Sequence, residues 1–160
     1  MIPVELMGLQ VEPDTGAPIV LLRESADPHR LLPVFIGTPE AIAIAVGIEG
    51  AMASRPLTHD LLIDVLEGAD TTLERVDVTA LKDDTFHAEL VLQGPAGTRR
   101  VSSRPSDAIA LAVRLEAPMF VNEAVLDQAG LEVVEEDDAD DSPRMSSAEI
   151  DETIDEFTSF

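Results

Sequence analysis

The segment Glu40-Ala41-Ile42-Ala43-Ile44-Ala45-Val46 recurs 67 residues later as Asp107-Ala108-Ile109-Ala110-Leu111-Ala112-Val113. Upstream of each copy a second correspondence holds. Val4, Leu6 and Leu9 recur 72 residues later as Val76, Val78 and Leu81, and Ala80 falls where Gly8 interrupts the first alternation. One Ala/Ile-rich helix can match another by composition alone. A strand pattern and a helix pattern recurring in the same order point to an internal duplication, and that constrains the fold strongly.

Each half reads as three strands followed by two helices. In the first, Val4, Leu6, Leu9 and Val11 alternate with polar positions, with a phase slip near Gly8 that predicts a bulge. Pro13-Asp14-Thr15-Gly16 is a turn, Ile19–Leu22 and Leu31–Ile36 are further strands, and Thr38-Pro39-Glu40 opens a helix with a capping hydroxyl. Thr58 starts the next helix, which carries Leu61, Leu62, Val65 and Leu66 on one face and ends at Gly68. In the second half, Leu73–Leu81, a strand around Phe86–Leu92, and Arg99–Ser103 precede a helix beginning at Ser106 or Asp107. Pro118–Val121 is short and extended, and Asn122 caps a last helix ending at Gly130. The expected fold is α+β: a duplicated three-strand, two-helix unit, with largely antiparallel strands and helices packed on them. The repeats span about 2–69 and 70–131.

The matched helices, Ala41–Val46 and Ala108–Val113, are apolar almost all round, so each needs cover on more than one side. Either the halves cover one another or a second chain does; a homo-oligomer, most simply a dimer, is expected.

Charge divides the chain differently. Of the formal −22, half lies in residues 132–160, which hold 12 acids and one base, Arg144. Glu135 to Asp141 is nearly all acidic and reads as a solvated, disordered linker. A capping box at Ser146-Ser147-Ala148-Glu149 then precedes Ile150, Ile154 and Phe157, the pattern of a short amphipathic helix able to meet a basic protein partner. The domain at 1–131 also carries −11, so a polyphosphate can be met only locally. Arg99, Arg100, Arg104 and Arg114 form the densest run of bases, the candidate patch for nucleic acid. No cysteine is present, which excludes disulfides, zinc ribbons, iron–sulfur clusters and thiol catalysis. With no apolar run near the roughly 20 residues of a membrane span and no leader pattern, no membrane association and a cytoplasmic location are expected.

Three segments carry a family resemblance. Leu32-Pro33-Val34-Phe35-Ile36-Gly37, Arg55-Pro56-Leu57-Thr58-His59-Asp60 and Arg104-Pro105-Ser106-Asp107-Ala108-Ile109-Ala110 resemble, in order and spacing, the bifunctional nuclease domain family. The resemblance covers roughly residues 2–131. It implies a small α+β domain and hydrolysis of RNA and DNA phosphodiester bonds, the DNase and RNase activities attributed to plant members.

The residues themselves offer a matching chemistry. Each Arg-Pro segment places an arginine just before a hydroxyl and an acid at a helix start: Arg55, Thr58, His59 and Asp60 in one, Arg104, Ser106 and Asp107 in the other. Phosphodiester hydrolysis needs a cation on the nonbridging oxygens, an activated water and a proton for the leaving oxygen. Arg55 and Arg104 supply cations, His59 exchanges a proton, and Glu40, Asp60 and Asp107 are candidate oxygen ligands for Mg²⁺ or Mn²⁺. Ordinary helix-start chemistry accounts for the same residue types, with Thr58 and Ser106 as caps and the acids at positive dipole ends. Neither a Gly-rich phosphate loop nor a serine nucleophile elbow is present. The alternative to a nuclease is a non-catalytic oligomeric module that binds a ligand or a protein, with the acidic tail as its arm.

Overall fold

The computed structural model describes residues 1–51 and 53–132. The acidic run and the amphipathic segment after Ser146 lie outside the described residues.

Seven strands form one sheet in the order β3-β2-β1-β7-β4-β5-β6. The first meander is β1 (Ile2–Val11), β2 (Pro18–Glu24) and β3 (Leu31–Phe35); the second is β4 (Thr72–Lys82), β5 (Thr85–Gly94) and β6 (Gly97–Ser103). Neighbours within each meander are antiparallel. The short strand β7 (Met119–Val121) joins them, antiparallel to β1 and parallel to β4, so β1 and β4 run in opposite directions on either side of it. The fold is α+β with a mostly antiparallel sheet.

Local chemistry sets the strand ends and the kinks. Asp83 and Asp84 both take positive φ between the paired Lys82 and Thr85, the two-residue turn whose twist matches a hairpin. The register slips between Leu6 and Gly8, where Gly8 sits at φ 137, and slips again between Val78 and Ala80. These bulges stand 72 residues apart in the two meanders, so each leading strand turns its inward face at a corresponding point.

Helices α1 (Thr38–Glu49), α2 (Thr58–Gly68), α3 (Pro105–Leu115) and α4 (Glu123–Ala129) complete the chain. α1 and α3 pack against each other. Ile44 and Ile109 are fully buried there, with Leu22 and Leu32 from the sheet, while Leu111 is fully buried on the other side of α3 against β4 and β5. Burial of each such side chain contributes about 1.5–3 kcal/mol. One cluster joins β1, β2 and β3 to α1, α3 and α4, and a second joins β4 and β5 to the other side of α3. The all-round apolarity of the matched helices is therefore met within one chain.

Three expectations change. The hydroxyls are not the caps: α1 and α2 begin at Thr38 and Thr58 as expected, but their N-caps are Gly37 and Leu57. α3 begins at Pro105 with Arg104 as its N-cap, two residues before Ser106, and none of the three caps makes a side-chain capping bond. With Pro105 at the first helical position, the preceding Arg104 is held extended and becomes the cap, leaving Ser106 buried in the first turn. Glu40, Asp60 and Asp107 each fall on the third helical residue. Asp60 Oδ2 accepts the Leu57 N–H at 2.9 Å, the reciprocal half of a capping box. The second change is α2, which buries no residue fully; Leu61, Leu62 and Val65 are exposed while Ile63 and Leu66 face the second cluster. The third is the arginine run. Arg99 pairs with Leu92 and lies on the helix side of β6, whereas Arg100 points to the opposite face, onto Asp77 and Glu89. Arg104 and Arg114 stand at opposite ends of α3, so the four make no single basic surface.

Candidate functional site

The first turns of α1, α2 and α3 meet at one cleft of roughly 320 Å³. Each brings a residue singled out from the sequence: Glu40, His59 and Asp107, with Arg104 from the turn before α3. Arg104 is the hub. Its Nε and Nη2 donate to Asp107 Oδ2 and Oδ1 at 2.7 and 2.9 Å, and its Nη1 donates to Glu40 Oε1 at 2.8 Å. Asp107 Oδ1 also faces His59 Nε2 at 3.4 Å. Residues from both halves of the chain thus share one ion-paired cluster.

The electrostatics follow from those contacts. The Arg104 guanidinium, its hydrogen bonds first and its charge second, holds Asp107 below the usual carboxylate range against the opposing effect of burial, and His59 adds to the depression. Asp107 and Glu40 in turn push Arg104 up. A guanidinium has five N–H bonds, and the three contacts leave two. With its side chain 63% exposed, Arg104 can meet an anion from solvent without releasing either carboxylate.

Asp60 belongs to a neighbouring arrangement. Burial pushes its carboxyl up, but the hydrogen bonds from Arg114 and the Leu57 N–H, with the Arg114 charge, hold it low. Arg114 Nε donates to Asp60 Oδ1 at 2.8 Å, while Nη1 donates to the carbonyls of Ala43 and Ala110, both at 2.8 Å. One side chain, only 8% exposed, ties α2 to α1 and α3. Its Nη2 is the one buried side-chain polar atom among the described residues with no hydrogen-bond partner. Sequence reasoning saw Arg114 only as part of a basic run. The helical position that turns it back across α1 was readable; its partners were not.

Arg55 is exposed in the α1–α2 connection and makes no ion pair among the described residues. Ser106 lines a second cleft of roughly 510 Å³ on the other side of Arg104, with Phe35 and Phe86. Glu40 and Arg104 border both clefts. Glu40, Asp60 and Asp107 do not converge on a common point for a cation, because an arginine occupies each. Among the described residues no group of three or more His, Asp or Glu stands positioned to hold a metal ion.

Comparison with known proteins agrees with the three sequence segments. The chain matches the bifunctional nuclease domain over residues 20–134 and belongs to that family. It is 40% identical over 147 residues to an uncharacterized protein of Mycobacterium tuberculosis, covering 92% of this chain and 87% of that one. It is 24% identical over 131 residues to bifunctional nuclease 1 of Oryza sativa and 24% identical over 121 residues to bifunctional nuclease 1 of Arabidopsis thaliana. These alignments cover 73% and 74% of this chain but only 40% and 37% of the plant proteins. No helix among the described residues is long and apolar enough to cross a membrane.

Proposed function

We propose that this domain hydrolyses phosphodiester bonds of RNA and DNA at the Glu40–Arg104–Asp107–His59 cluster. The observation that carries the reading is the His59–Asp107–Arg104 chain of contacts beside a cleft. If His59 Nε2–H is donated to Asp107, Nδ1 is free to take a proton from an attacking water. As the water oxygen bonds to phosphorus, the P–O bond to the leaving sugar oxygen breaks and that oxygen takes a proton from solvent water. The Asp107 anion stabilises the imidazolium, and the spare N–H bonds of Arg104 meet the charge that develops on the phosphate. Glu40 fixes the guanidinium from the other side. Arg55, exposed in the α1–α2 connection, stands outside the cluster as an outlying cation. No step of this scheme runs through a metal, since the three acids are held by arginine.

The test is cleavage of end-labelled single-stranded RNA and DNA with Mg²⁺, Mn²⁺ or EDTA, beside Asp107→Ala as the contamination control. Cutting that disappears in the folded variant is the expected result. Activity unaltered by EDTA fits the arginine-held acids; dependence on a divalent ion would mean that an ion displaces Arg104. Equal cutting by wild type and variant places the activity elsewhere or in a contaminant.

A second reading has its own support. Each charge in the cluster already has an opposite neighbour, which suits a ligand- or protein-binding module as well as an enzyme. A folded wild type that cuts nothing under any condition favours it, with nearby basic proteins as the partners to seek for the tail. Both readings carry a homodimer, formed through the exposed Leu61, Leu62 and Val65 of α2. Light scattering checks it: twice 17.1 kDa for wild type and a monomer for Val65→Asp support it, and a wild-type monomer removes it.

A further inference from the structure

We propose that the site takes a phosphodiester of about dinucleotide size, with one base in the cleft of Phe35 and Phe86, in place of a long strand laid across the surface. The inference rests on the phosphodiester reading of the Arg104 cluster and narrows its substrate.

Two independent observations lead to it. The first is the placement of cations. A protein that follows a strand must neutralise several phosphates along a track. Here Arg30, Arg75, Arg100, Arg104 and Arg114 are all held by carboxylates. The other bases of the described chain, Arg23, Arg55, Lys82 and Arg99, lie on β2, the α1–α2 connection, the end of β4 and β6. Arg23 and Arg99 project to opposite faces of the sheet. Among the described residues nothing links these charges into a groove leading to Arg104, and residues 1–131 as a whole carry −11.

The second observation is the placement of aromatic rings. Phe35, Phe86 and Phe120 are the phenylalanines of the described chain, and the sequence has no Trp or Tyr. Phe120 lies under Arg75, with the guanidinium carbon 5.6 Å from the ring centre. Phe35 and Phe86 both line the 510 Å³ cleft next to Arg104, and Phe35 is 59% exposed. An aromatic ring left in water beside a guanidinium with spare donors matches a base and its phosphate. The reacting cleft with His59 lies beyond the Glu40–Arg104 wall. Two clefts flanking one cation accommodate the two sides of a single diester, and each is of small-molecule size.

The experiment compares a dinucleotide with a 20-nucleotide single strand, by calorimetric binding and by cleavage at several salt concentrations, for wild type and Phe35→Ala. The exposure of Phe35 makes its loss compatible with folding, and circular dichroism verifies that. The expected result is dinucleotide affinity equal to or better than that of the long strand. A log–log salt slope of about −1 should accompany it, since single strands give about −0.7 for each phosphate contacted. Phe35→Ala should raise the dinucleotide KM about tenfold, the scale of one base–aromatic stack, with kcat little changed. Affinity that climbs with length, a slope steeper than about −3, or a silent Phe35→Ala overturns the inference while leaving a nuclease. Failure of the folded protein to bind or cut either substrate removes the phosphodiester reading and this inference together.

Discussion

The two ends of the α1–α3 pair solve one problem in opposite ways. At each end an arginine of the second half of the chain reaches across to α1, at a place where the first half has glycine 67 residues earlier: Gly37 against Arg104, Gly47 against Arg114. At the C-terminal end the guanidinium is buried and donates to two backbone carbonyls and one carboxylate, with Nη2 left unpartnered. At the N-terminal end it is open to solvent, held by two carboxylates, and bordered by both clefts. Two long side chains cannot fill one helix crossing, and at the C-terminal end Gly47 leaves the room that Arg114 occupies. The buried arginine is a staple. The exposed one is available for chemistry.

Substitutions can separate those roles. The largest expected effect is on rate: Arg104→Ala should lower cleavage of a labelled oligonucleotide by about 10²–10³, the usual loss when one donor to a developing oxyanion is removed. Arg114→Ala should act mainly on stability, by about 3 kcal/mol in urea unfolding, because it removes the charged partner of Asp60 and the bonds that tie α3 to the Ala43 carbonyl of α1. If Arg114→Ala abolishes cleavage without a loss of stability, the division between staple and site is wrong. Gly47→Ala should cost about 1–3 kcal/mol. An added Cβ there would stand 2.6 Å from Val113 Cγ2 and 2.8 Å from Arg114 Nη1, and the helices would have to part.

These two ends also mark how far the sequence could be read. The strands of both meanders, the matching bulges and the acids at helix starts were legible because they depend on neighbours in the chain. Alternation put Leu6 and Val78 inward, and Gly8 marked the slip. The caps lie one residue upstream of the hydroxyl at α1 and α2 and two upstream at α3, where Pro105 at the first helical position holds Arg104 extended and outranks the hydroxyl preference. The basic run misled for a different reason. Sequence proximity says nothing about the face of a strand, and Arg99 and Arg100 necessarily point apart. Strand β7 between β1 and β4, the Arg104 bond to Glu40 and the Arg114 bond to Ala43 are long-range choices with no local signal.

Acid should weaken both ends from the carboxylate side. Asp60 and Asp107 both have folded pKa values below their ordinary values. Their contribution is therefore complete above about pH 4, the usual aspartate value, and is lost as pH falls from there through the lowered folded values. Melting temperature should show no change from these two groups between pH 7 and 5 and should drop below about pH 4. Asp107→Asn should flatten part of that drop, and an unchanged profile would mean that Arg104 does not depress Asp107.

The smallest expected effect sharpens the comparison most. Arg104→Ala should change stability by less than about 1 kcal/mol, because an exposed ion pair exchanges good hydration for modest attraction and is screened by salt. The residual effect should shrink further between low salt and about 1 M NaCl, where the screening length falls to roughly 3 Å. The cost of Arg114→Ala should persist in the same series, since its partners are mainly buried carbonyls from which salt is excluded. Unfolding curves for the two variants at both salt levels therefore read out burial directly. A large, salt-insensitive loss for Arg104→Ala would show that the hub at the clefts is as structural as the staple at the far end, and the case for chemistry at Arg104 would lose its physical basis.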